Sequence, residues 1–359
     1  MKKLKKIAYY IILLLVVYLI YVYPFEVLNS LLFSEPIFKV SSLFFSFFCF
    51  FIVMLYFKSN SNFFLLKFFV YEGMGIGFIS FWVVSIGLIL NIFLFEFNFY
   101  IGVYCLVFIS LFSLLSLFKA RLIKIKYLEI FSDKVSDEIK LIFLSDTHLG
   151  SNSKKYLEKI YNKIKDFNFD FLLIGGDFID SSSFDLNNLE ILKNIKKPIL
   201  FVSGNHEYYI NDNFSKLKKL KDFGINFLDN KTFKYKNINF IGVSDNQRLE
   251  YQEKIVNKLV NKKEYNLVLV HKPSLWSRVN DKVDLMLSGH THNGQIFPFN
   301  FFVRLQFKNI YGLYKKYYSK LYVSSGSGCW GPKMRLGTSN EIINIKINNV
   351  SNTVSSRNI

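Results

Sequence analysis

The sequence predicts an α/β fold for its larger, C-terminal part, preceded by a multi-span α-helical membrane region. Residues 1–118 hold only seven Lys, four Glu and no Arg, whereas residues 119–359 hold 38 basic and 23 acidic residues. In the second part, short apolar runs alternate with longer segments of helical pattern, which is typical of sheets covered by helices. A hydrophobic content of 51% rules out a disordered chain, and three Cys are too few for a disulfide scaffold.

Residues 1–118 are predicted to form a membrane region with about four transmembrane helices. A hydrocarbon core of about 30 Å needs about 20 helical residues, and each apolar run here has roughly that length without a polar stripe. The first run, Ile7 to Tyr23, is too bulky for a cleaved signal peptide, and no Ala-x-Ala site follows it. The predicted spans are 7–23, 40–57, 73–95 and 99–118.

Loop charges predict a multi-pass protein of the inner (cytoplasmic) membrane with both ends, and so the α/β part, in the cytoplasm. Basic residues concentrate at the N-terminus, between the second and third spans and after the fourth, which marks the cytoplasmic side. The segment 63–71 could be an interfacial helix, an extension of the third span or a further span that reverses the topology. Glu26 is assigned to a loop, and no ionisable residue is expected in the middle of a span, so the region is interpreted as an anchor.

The α/β part is predicted to begin with a basic juxtamembrane segment and a first strand at 119–138. One domain follows at 139–350, and a flexible tail at 351–359. Helices become sparse between the later strands, so a purely parallel sheet is not expected. The predicted helices are 153–167, 185–196, 213–223 and 249–263. The other predicted strands are Ile139–Ser145, Phe171–Gly175, Ile199–Ser203, Ile238–Val243, Leu267–Val270, Leu285–Ser288, Leu321–Ser324 and Ile342–Ile347.

All five His of the chain lie in this part, and each falls in a polar cluster directly after a predicted strand. In open α/β sheets, ligands bind beyond the carboxyl ends of the strands. We therefore expect the side chains of these clusters to meet at one edge. The clusters are Asp146-Thr147-His148, Gly175-Gly176-Asp177, Gly204-Asn205-His206-Glu207, His271 and Gly289-His290-Thr291-His292.

The residue types in these clusters point to bound metal ions. Neutral imidazole, carboxylate and amide oxygen are ligands for Zn, Mn and Fe, and no Cys is offered for a closed structural zinc site. Glycines before Asp177, Asn205 and His290 are expected to let the chain turn tightly where each strand ends. The supply of two Asp, one Asn and four or five His exceeds the needs of one ion, whereas two ions that share a carboxylate use that number.

The order D-x-H, G-D, G-N-H-E, a lone His and G-H-x-H resembles the calcineurin-like metallophosphoesterases over roughly residues 139–347. Later stretches resemble the membrane-anchored bacterial branch of that family, with its UDP-diacylglucosamine pyrophosphatases and related phosphodiesterases. Glu207 stands where Asp is more usual and Asn293 where Gly is common, but neither departure removes a ligand. The later stretches are Gln295, Tyr311–Tyr314, Ser325–Gly328 and Met334–Leu336.

The resemblance implies a β-sandwich flanked by α-helices and two metal sites that share Asp177. A hydroxide bridging two ions (Mn, Zn or Fe) would attack phosphorus, with Asp177, Asn205 and His206 carried over as catalytic residues. His206 would donate to the developing charge or protonate the leaving oxygen. One ion would be held by Asp146, His148, Asp177 and His292, and the other by Asp177, Asn205, His271 and His290.

Three further residues are considered beside this set. Glu207 is expected to orient a ligand. Arg335 follows a glycine-rich loop and could either bind phosphate or be an exposed structural Arg. Asp180, three residues after Asp177, is interpreted as a helix cap or turn residue in preference to a ligand.

These features predict a membrane-anchored two-metal phosphoesterase for a phosphodiester or pyrophosphate bond, with the lipid bilayer and a phosphorylated small molecule or lipid as partners. Basic charge would hold the domain against anionic headgroups at about 1 kcal/mol per suitable Lys or Arg. The net charge of +15 in residues 119–359 would also suit a nucleotide or nucleic-acid phosphodiesterase, although Lys spread along helices is usually a solvated face and makes nucleic acid the weaker interpretation. The domain could instead be a metal-binding membrane scaffold or sensor.

Overall fold

The computed structural model describes residues 2–59 and 63–350, and it divides into two compact units. The first unit contains Met1–Arg121 together with Gly331–Leu336, and the second contains Leu122–Trp330 together with Gly337–Ile359. The predicted tail at 351–359 lies outside the described residues.

The first unit is helical. Its helices are α1 (Lys2–Val17), α2 (Tyr23–Phe33), α3 (Val40–Ser59), α4 (Phe64–Phe93) and α5 (Asn98–Ala120), with a π-helical turn at Tyr18–Val22 between α1 and α2. Among the residues that the structure describes, four stretches are long and apolar enough to cross a membrane, namely Lys6–Phe33, Val40–Lys58, Phe64–Phe93 and Asn98–Ala120. Residues 64–71, which the sequence left ambiguous, extend the third stretch as the first turns of α4.

The first apolar stretch is longer than the predicted span 7–23, because Pro24 does not end it. Pro24 lies in the first turn of α2, where a missing N–H is tolerated, and the helix continues to Phe33, after which Ser34 caps it with a left-handed φ of 57°. Glu26 therefore lies within the helix, and its assignment to a loop is wrong. Its side chain is buried, and one carboxylate oxygen accepts a hydrogen bond from the hydroxyl of Tyr18 at 2.7 Å.

The second unit contains two six-stranded sheets of mixed direction. The strands are β1 (Ile123–Ser132), β2 (Ile139–Leu144), β3 (Phe171–Gly175), β4 (Ile199–Val202), β5 (Ile225–Phe227), β6 (Thr232–Tyr235), β7 (Ile238–Val243), β8 (Tyr265–Val270), β9 (Leu285–Ser288), β10 (Gly312–Lys316), β11 (Ser319–Val323) and β12 (Asn340–Asn349). The first sheet has the order β1-β12-β2-β3-β4-β5, with β12 and β2 antiparallel and the other neighbours parallel. The second has the order β10-β11-β9-β8-β7-β6, with an antiparallel pair at each edge.

The two sheets share one apolar core, and each also packs against helices on its outer face. Successive residues of a strand point to opposite faces, so a strand buried on both faces is apolar throughout. In β2, Leu141 and Phe143 enter the core between the sheets, whereas Ile142 and Leu144 enter the core under the helices. The same alternation in β8 completes the second sheet. This layering confirms the predicted sandwich of sheets flanked by helices.

The α-helices of this unit are α6 (Lys154–Ile164), α7 (Asn213–Lys219), α8 (Leu249–Leu259), α9 (Trp276–Val279) and α10 (Phe299–Gln306). The predicted α-helix at 185–196 is instead a 3₁₀ helix over Leu186–Asn194, and the one at 213–223 is α7 followed by a 3₁₀ turn at Leu220–Phe223. The side chain of Asp185 caps the 3₁₀ helix by accepting the backbone N–H of Asn187 at 3.0 Å.

The polar clusters follow three strands of the first sheet (β2, β3 and β4) and two strands of the second (β8 and β9). These strands are parallel neighbours within their sheets. Their carboxyl ends therefore share an edge, and the five loops start from the same side of the sandwich.

Candidate metal centre

Asp177 lies where these loops meet, and its carboxylate faces three imidazoles. Its Oδ2 atom is 3.0 Å from Nε2 of His271 and 3.9 Å from Nε2 of both His148 and His206. Its Oδ1 atom accepts the backbone N–H of His206 at 2.9 Å. Asp177 is only 2% exposed, so these neighbours, and not water, balance its charge.

One candidate ligand group combines Asp146, His148 and His292, whose ligand atoms all lie within 4.8 Å of one another. Nε2 of His292 is 3.2 Å from Nε2 of His148 and 3.4 Å from Oδ1 of Asp146. The hydroxyl of Ser145 and the backbone N–H of His290 donate to Oδ2 of Asp146 at 2.5 and 3.0 Å. Those donors fix the carboxylate without occupying all of its acceptor positions.

A second group combines Asp177, His271 and His290, again with ligand atoms within 4.8 Å of one another. Nδ1 of His290 is 3.2 Å from Nε2 of His271. On its other side, His271 places Nδ1 at 2.9 Å from the carbonyl oxygen of Gly175. A carbonyl oxygen can only accept, so Nδ1 of His271 carries the proton and its Nε2 faces the group, as in histidines that bind metals.

His206 and Asn205 complete the cluster. His206 forms a third candidate group with His148 and Asp177, so its ring lies among the possible ligands and not outside them. The side-chain oxygen of Asn205 is buried and has no hydrogen-bond partner within residues 2–59 and 63–350. A buried amide oxygen without a donor is rare in proteins and is a position that a cation can satisfy.

The backbone at the site is strained. Five of the clustered side chains belong to residues with left-handed φ angles between 48° and 71°, a conformation that costs a non-glycine residue about 1–3 kcal/mol. Such residues concentrate at functional sites because the surrounding structure holds them there. The five are Asp146, His148, Asp177, His290 and His292.

Two glycines are needed for space, which corrects the expectation that they serve tight turns. Neither Gly204 nor Gly289 has a positive φ, whereas Gly176 does. A Cβ atom on Gly204 would lie 2.2 Å from Oδ1 of Asp177, and one on Gly289 would lie 2.2 Å from Oδ2 of Asp146. Any side chain at these two positions would push a carboxylate out of place.

Glu207 ties two loops of the site together. Its carboxylate is buried and accepts four backbone N–H groups at 2.7–3.0 Å. Three of these donors belong to the loop after β3, and the fourth belongs to the loop after β4. The donors are the backbone N–H groups of Asp177, Phe178, Ile179 and Gly204.

Asp180 contacts a histidine of the site in addition to its own turn, as the sequence interpretation of a cap or turn residue did not foresee. Its Oδ2 atom is 3.3 Å from Nδ1 of His148, within ion-pair distance although not aligned as a hydrogen bond. Its Oδ1 atom accepts the backbone N–H of Ser151 at 2.8 Å. A carboxylate behind a histidine orients the ring and makes the opposite nitrogen a better ligand. The sequence offered only the spacing from Asp177 as a signal for this role.

Arg335, the remaining candidate, is fully buried, so the alternative of an exposed structural Arg is wrong. It belongs to the first unit, where its backbone N–H donates to the carbonyl oxygen of Ser116 at 2.9 Å. The sequence pattern around its glycine-rich loop carries no information about this burial.

Asp177 and His271 keep each other charged in the metal-free chain. Burial alone would lower the pKa of His271, but the charge of Asp177 and the close contact with it raise that pKa to about 10. Burial alone would raise the pKa of Asp177, but His271 holds it far below its ordinary value. The protonated His271 thus balances the charge of the Asp177 carboxylate, as a bound cation would.

His290 and His206 are neutral near pH 7. Burial lowers the pKa of His290 to about 2, and the charge on His271 adds to this effect. Burial also lowers the pKa of His206 to about 4, although Asp177 opposes the shift. Neutral imidazoles are the form that binds metal ions.

The arrangement fits metal ions on several independent grounds. Imidazole nitrogens approach each other to 3.2 Å in two pairs, and each approach needs a proton or a cation between the lone pairs. The buried oxygen of Asn205 has no donor within the described ranges. Imidazole, carboxylate and amide oxygen form a donor set that Mn, Zn and Fe accept.

Two aromatic side chains border His206, and sequence reasoning did not identify them. The ring centroids of Tyr209 and Trp330 lie 5.4 and 5.7 Å from that of His206, and these two side chains are 73% and 52% exposed. Gln295 fixes Trp330 through two hydrogen bonds to its backbone, at 2.9 and 3.1 Å. The rim can therefore contact an apolar or aromatic group of a ligand beside the metal cluster.

Comparisons with known proteins agree with this geometry. A sequence model of the calcineurin-like phosphoesterase family matches residues 139–294, which contain all the clustered His, Asp and Asn residues. An uncharacterized metallophosphoesterase of Helicobacter pylori is 35% identical over 236 residues, 62% of this chain and 64% of that protein. This chain thus spans less than two thirds of that relative's length.

Two other relatives extend the comparison. A transmembrane protein with metallophosphoesterase domain from Danio rerio is 31% identical over 230 residues, 58% of this chain and 52% of that protein. An uncharacterized metallophosphoesterase of Aquifex aeolicus is 34% identical over 231 residues, 60% of this chain and 87% of that protein. The similarity therefore covers most of the length of the Aquifex aeolicus protein and is not confined to the loops of the site. On these grounds the chain belongs to the calcineurin-like metallophosphoesterase family.

Proposed function

We propose that this protein is a membrane-anchored phosphoesterase that uses two metal ions to hydrolyse a phosphodiester or pyrophosphate bond. The observation that carries the proposal is the position of Asp177, whose Oδ2 atom is within 3.9 Å of three imidazole Nε2 atoms. A carboxylate so placed can serve two cations at once. Membership of a family of metallophosphoesterases supports the reaction class.

The two ions would be held by the two groups that meet at Asp177. Two divalent cations at such a site lower the pKa of water and stabilise negative charge on phosphoryl oxygens. Asp146, His148, Asp177 and His292 would hold one ion, and Asp177, Asn205, His271 and His290 the other.

The chain's own residues prepare the reaction. Glu207 locks the loops after β3 and β4 together, so that Asp177 keeps its position during turnover. The side chain of His206 is 16% exposed, whereas those of His148 and His271 are 0% exposed. His206 is thus more accessible to a substrate than these two rings, and its N–H would donate to a phosphoryl or leaving-group oxygen.

We further propose that the chain is a multi-pass protein of the cytoplasmic membrane with its metal centre on the cytoplasmic side. In the described part of the chain, four stretches long and apolar enough to cross a membrane support the anchoring. The concentration of basic residues in alternate loops supports the orientation. A site tethered in this way meets lipids continuously, which favours a lipid-linked phosphate ester or pyrophosphate as the substrate, and the aromatic rim beside His206 would also suit a nucleotide group.

The first experiment measures hydrolysis of bis-p-nitrophenyl phosphate by the full chain in detergent, with added Mn²⁺ or with a chelator. We expect metal-dependent turnover that falls by at least about a hundredfold in Asp177→Asn. The matched control is Asp137→Asn, because the side chain of Asp137 is 60% exposed and pairs with Lys236 on the surface.

The outcomes separate the candidate functions. Full activity of Asp177→Asn would refute the two-metal proposal. Folded, metal-loaded protein that hydrolyses neither a soluble diester nor a lipid-linked pyrophosphate would favour a metal-binding scaffold or sensor. Turnover of nucleotide diesters in preference to lipid-linked ones would move the substrate assignment without changing the chemistry.

A further inference from the structure

We propose that α10 and the residues flanking it form a surface that docks onto an anionic phospholipid bilayer. The inference goes beyond the proposed function, because it concerns a contact with lipid that needs no turnover. It starts from α10 itself, a helix that the sequence did not predict and in which no residue is buried.

The helix and its approach present large apolar side chains to solvent. Phe297 is 50% exposed, Phe301 is 57% exposed and Leu305 is 87% exposed. A helix on the surface of a soluble domain normally turns its apolar stripe inward. A contiguous apolar surface that faces outward marks an interaction site.

These side chains form one patch. Phe301 and Leu305 are four residues apart and therefore share a face of α10. The ring of Phe297 lies 5.7 Å from that of Phe301, which extends the patch past the start of the helix. We call these three residues the α10 patch.

Charge selects the partner. The stretch Leu285–Trp330 contains five basic residues and no Asp or Glu. Two of the five, Arg304 and Lys308, lie on or just after α10 and are exposed. Apolar aromatic side chains accompanied by Lys and Arg are typical of segments that lie in the headgroup region of an anionic membrane. A protein partner would have to be acidic and apolar at once, whereas an anionic bilayer offers both properties and lies close to any protein that carries these apolar helices.

Contacts on both sides of α10 connect the α10 patch to the metal centre. After α10, the ring of the buried Phe307 lies 5.1 Å from the ring of His290. Before α10, Gly294 packs closely against Asn300 of the helix. A Cβ atom on Gly294 would lie 2.4 Å from the Cα atom of Asn300. Docking of the patch would therefore hold the ligand loop 289–294 at the depth of the lipid headgroups, where phosphate esters of lipids are located.

The test places an environment-sensitive NBD probe on the patch in the full chain. Leu305→Cys is labelled, which is selective because Cys49, Cys105 and Cys329 are all buried. The control is Tyr251→Cys on α8, a helical position that is 52% exposed. Both proteins are reconstituted into phosphatidylcholine vesicles with and without about 30% phosphatidylglycerol.

We expect the Leu305 probe to shift to the blue and to lose about half of its emission to doxyl-labelled lipids, more in anionic vesicles, while the control probe does neither. The double variant R304Q/K308Q should reduce the difference between anionic and neutral vesicles. Quenching of the Leu305 probe by aqueous iodide to the same extent as the control would overturn the proposal. Shielding from both quenchers would also overturn it, in favour of a protein that covers the patch.

A second variant keeps the result independent of the probe. Leu305→Glu should lower hydrolysis of a vesicle-embedded lipid substrate severalfold and leave hydrolysis of bis-p-nitrophenyl phosphate unchanged, whereas equal rates on the embedded substrate would count against docking. The fluorescence readout needs no catalysis, so its failure leaves the two-metal proposal standing. Failure of the Asp177→Asn test, in turn, leaves the docking proposal untouched.

Discussion

The Oδ2 atom of Asp177 lies 3.0 Å from Nε2 of His271, while Nδ1 of the same ring lies 2.9 Å from the carbonyl oxygen of Gly175. Gly175 is the last residue of β3, so the sheet itself sets the orientation of the ring. Because Nδ1 must donate to the carbonyl, only Nε2 can exchange a proton for a cation. Proton and metal therefore compete for one nitrogen beside one carboxylate.

Metal binding should accordingly release at least one proton near neutral pH. Although burial opposes it, the charge of Asp177 raises the pKa of His271 to about 10, so the ring is protonated at pH 7 and must lose a proton to become a ligand. His290, whose pKa burial lowers to about 2, is already neutral and releases none. The apparent affinity for Mn²⁺ should therefore rise about tenfold per pH unit between roughly pH 7 and 9. Calorimetric titration in buffers of different ionisation enthalpy measures the protons released.

The matched variant for this prediction is His271→Gln, which removes the titrating group. It should bind metal more weakly and release about one proton fewer than the unaltered protein. An affinity that does not change between pH 7 and 9 in the unaltered protein would contradict the assignment of the proton to His271.

Glu207→Gln should destabilise the metal-free fold by about 3 kcal/mol, because an amide can accept only at its oxygen and leaves two of the four buried N–H donors unsatisfied. Thermal unfolding in detergent with a chelator measures the loss. The control is Glu190→Gln, whose side chain is 57% exposed and should change stability by less than about 0.5 kcal/mol. Equal melting temperatures for the two variants would mean that Glu207 does not hold the loops together.

Gly289→Ala should lower the metal content from about two ions per chain to about one. The new Cβ would lie 1.9 Å from Oγ of Ser145 and 2.2 Å from Oδ2 of Asp146, so the Asp146 carboxylate must leave its position. Elemental analysis of the purified protein gives the stoichiometry. Gly224→Ala is the control, since a Cβ there meets nothing within 4 Å and the left-handed φ of 79° costs stability alone. Two ions retained in Gly289→Ala would show that Asp146 is not a necessary ligand.

Central strands were predictable from the sequence because they are buried on both faces. The bounds of β3, β7 and β9 agree with the apolar runs, since every residue of these strands is buried. The edge strands β6 and β10 were not predicted. Their residues are half-buried or exposed, so they carry no continuous apolar run, and with four and five residues they are too short for an alternation to stand out.

The polar clusters were found for the same reason, because they interrupt strong strand signals at their carboxyl ends. Their strained backbone was not predictable, since Asp146 and His148 are ordinary residues for extended chain and only the fold imposes φ angles of 53° and 51°. Asp180 was undervalued because its partner, His148, lies 32 residues earlier in the chain. A local pattern does not record a contact of that range.

Asp180→Asn offers the sharpest test of a residue that acts on a metal ligand without being one. The amide oxygen can still accept the backbone N–H of Ser151, as Oδ1 does now at 2.8 Å, so the loop should keep its fold. What disappears is the negative charge 3.3 Å from Nδ1 of His148.

Loss of such a partner typically weakens metal binding by about 10–100-fold. Because His148 belongs to the group with Asp146 and His292, the weakening should fall on one of two ions. Stepwise metal titration of the folded variant resolves the two affinities. Asp185→Asn, at an exposed capping residue, provides the control. An equal loss of affinity for both ions, or no loss for either, would show that Asp180 does not act through His148.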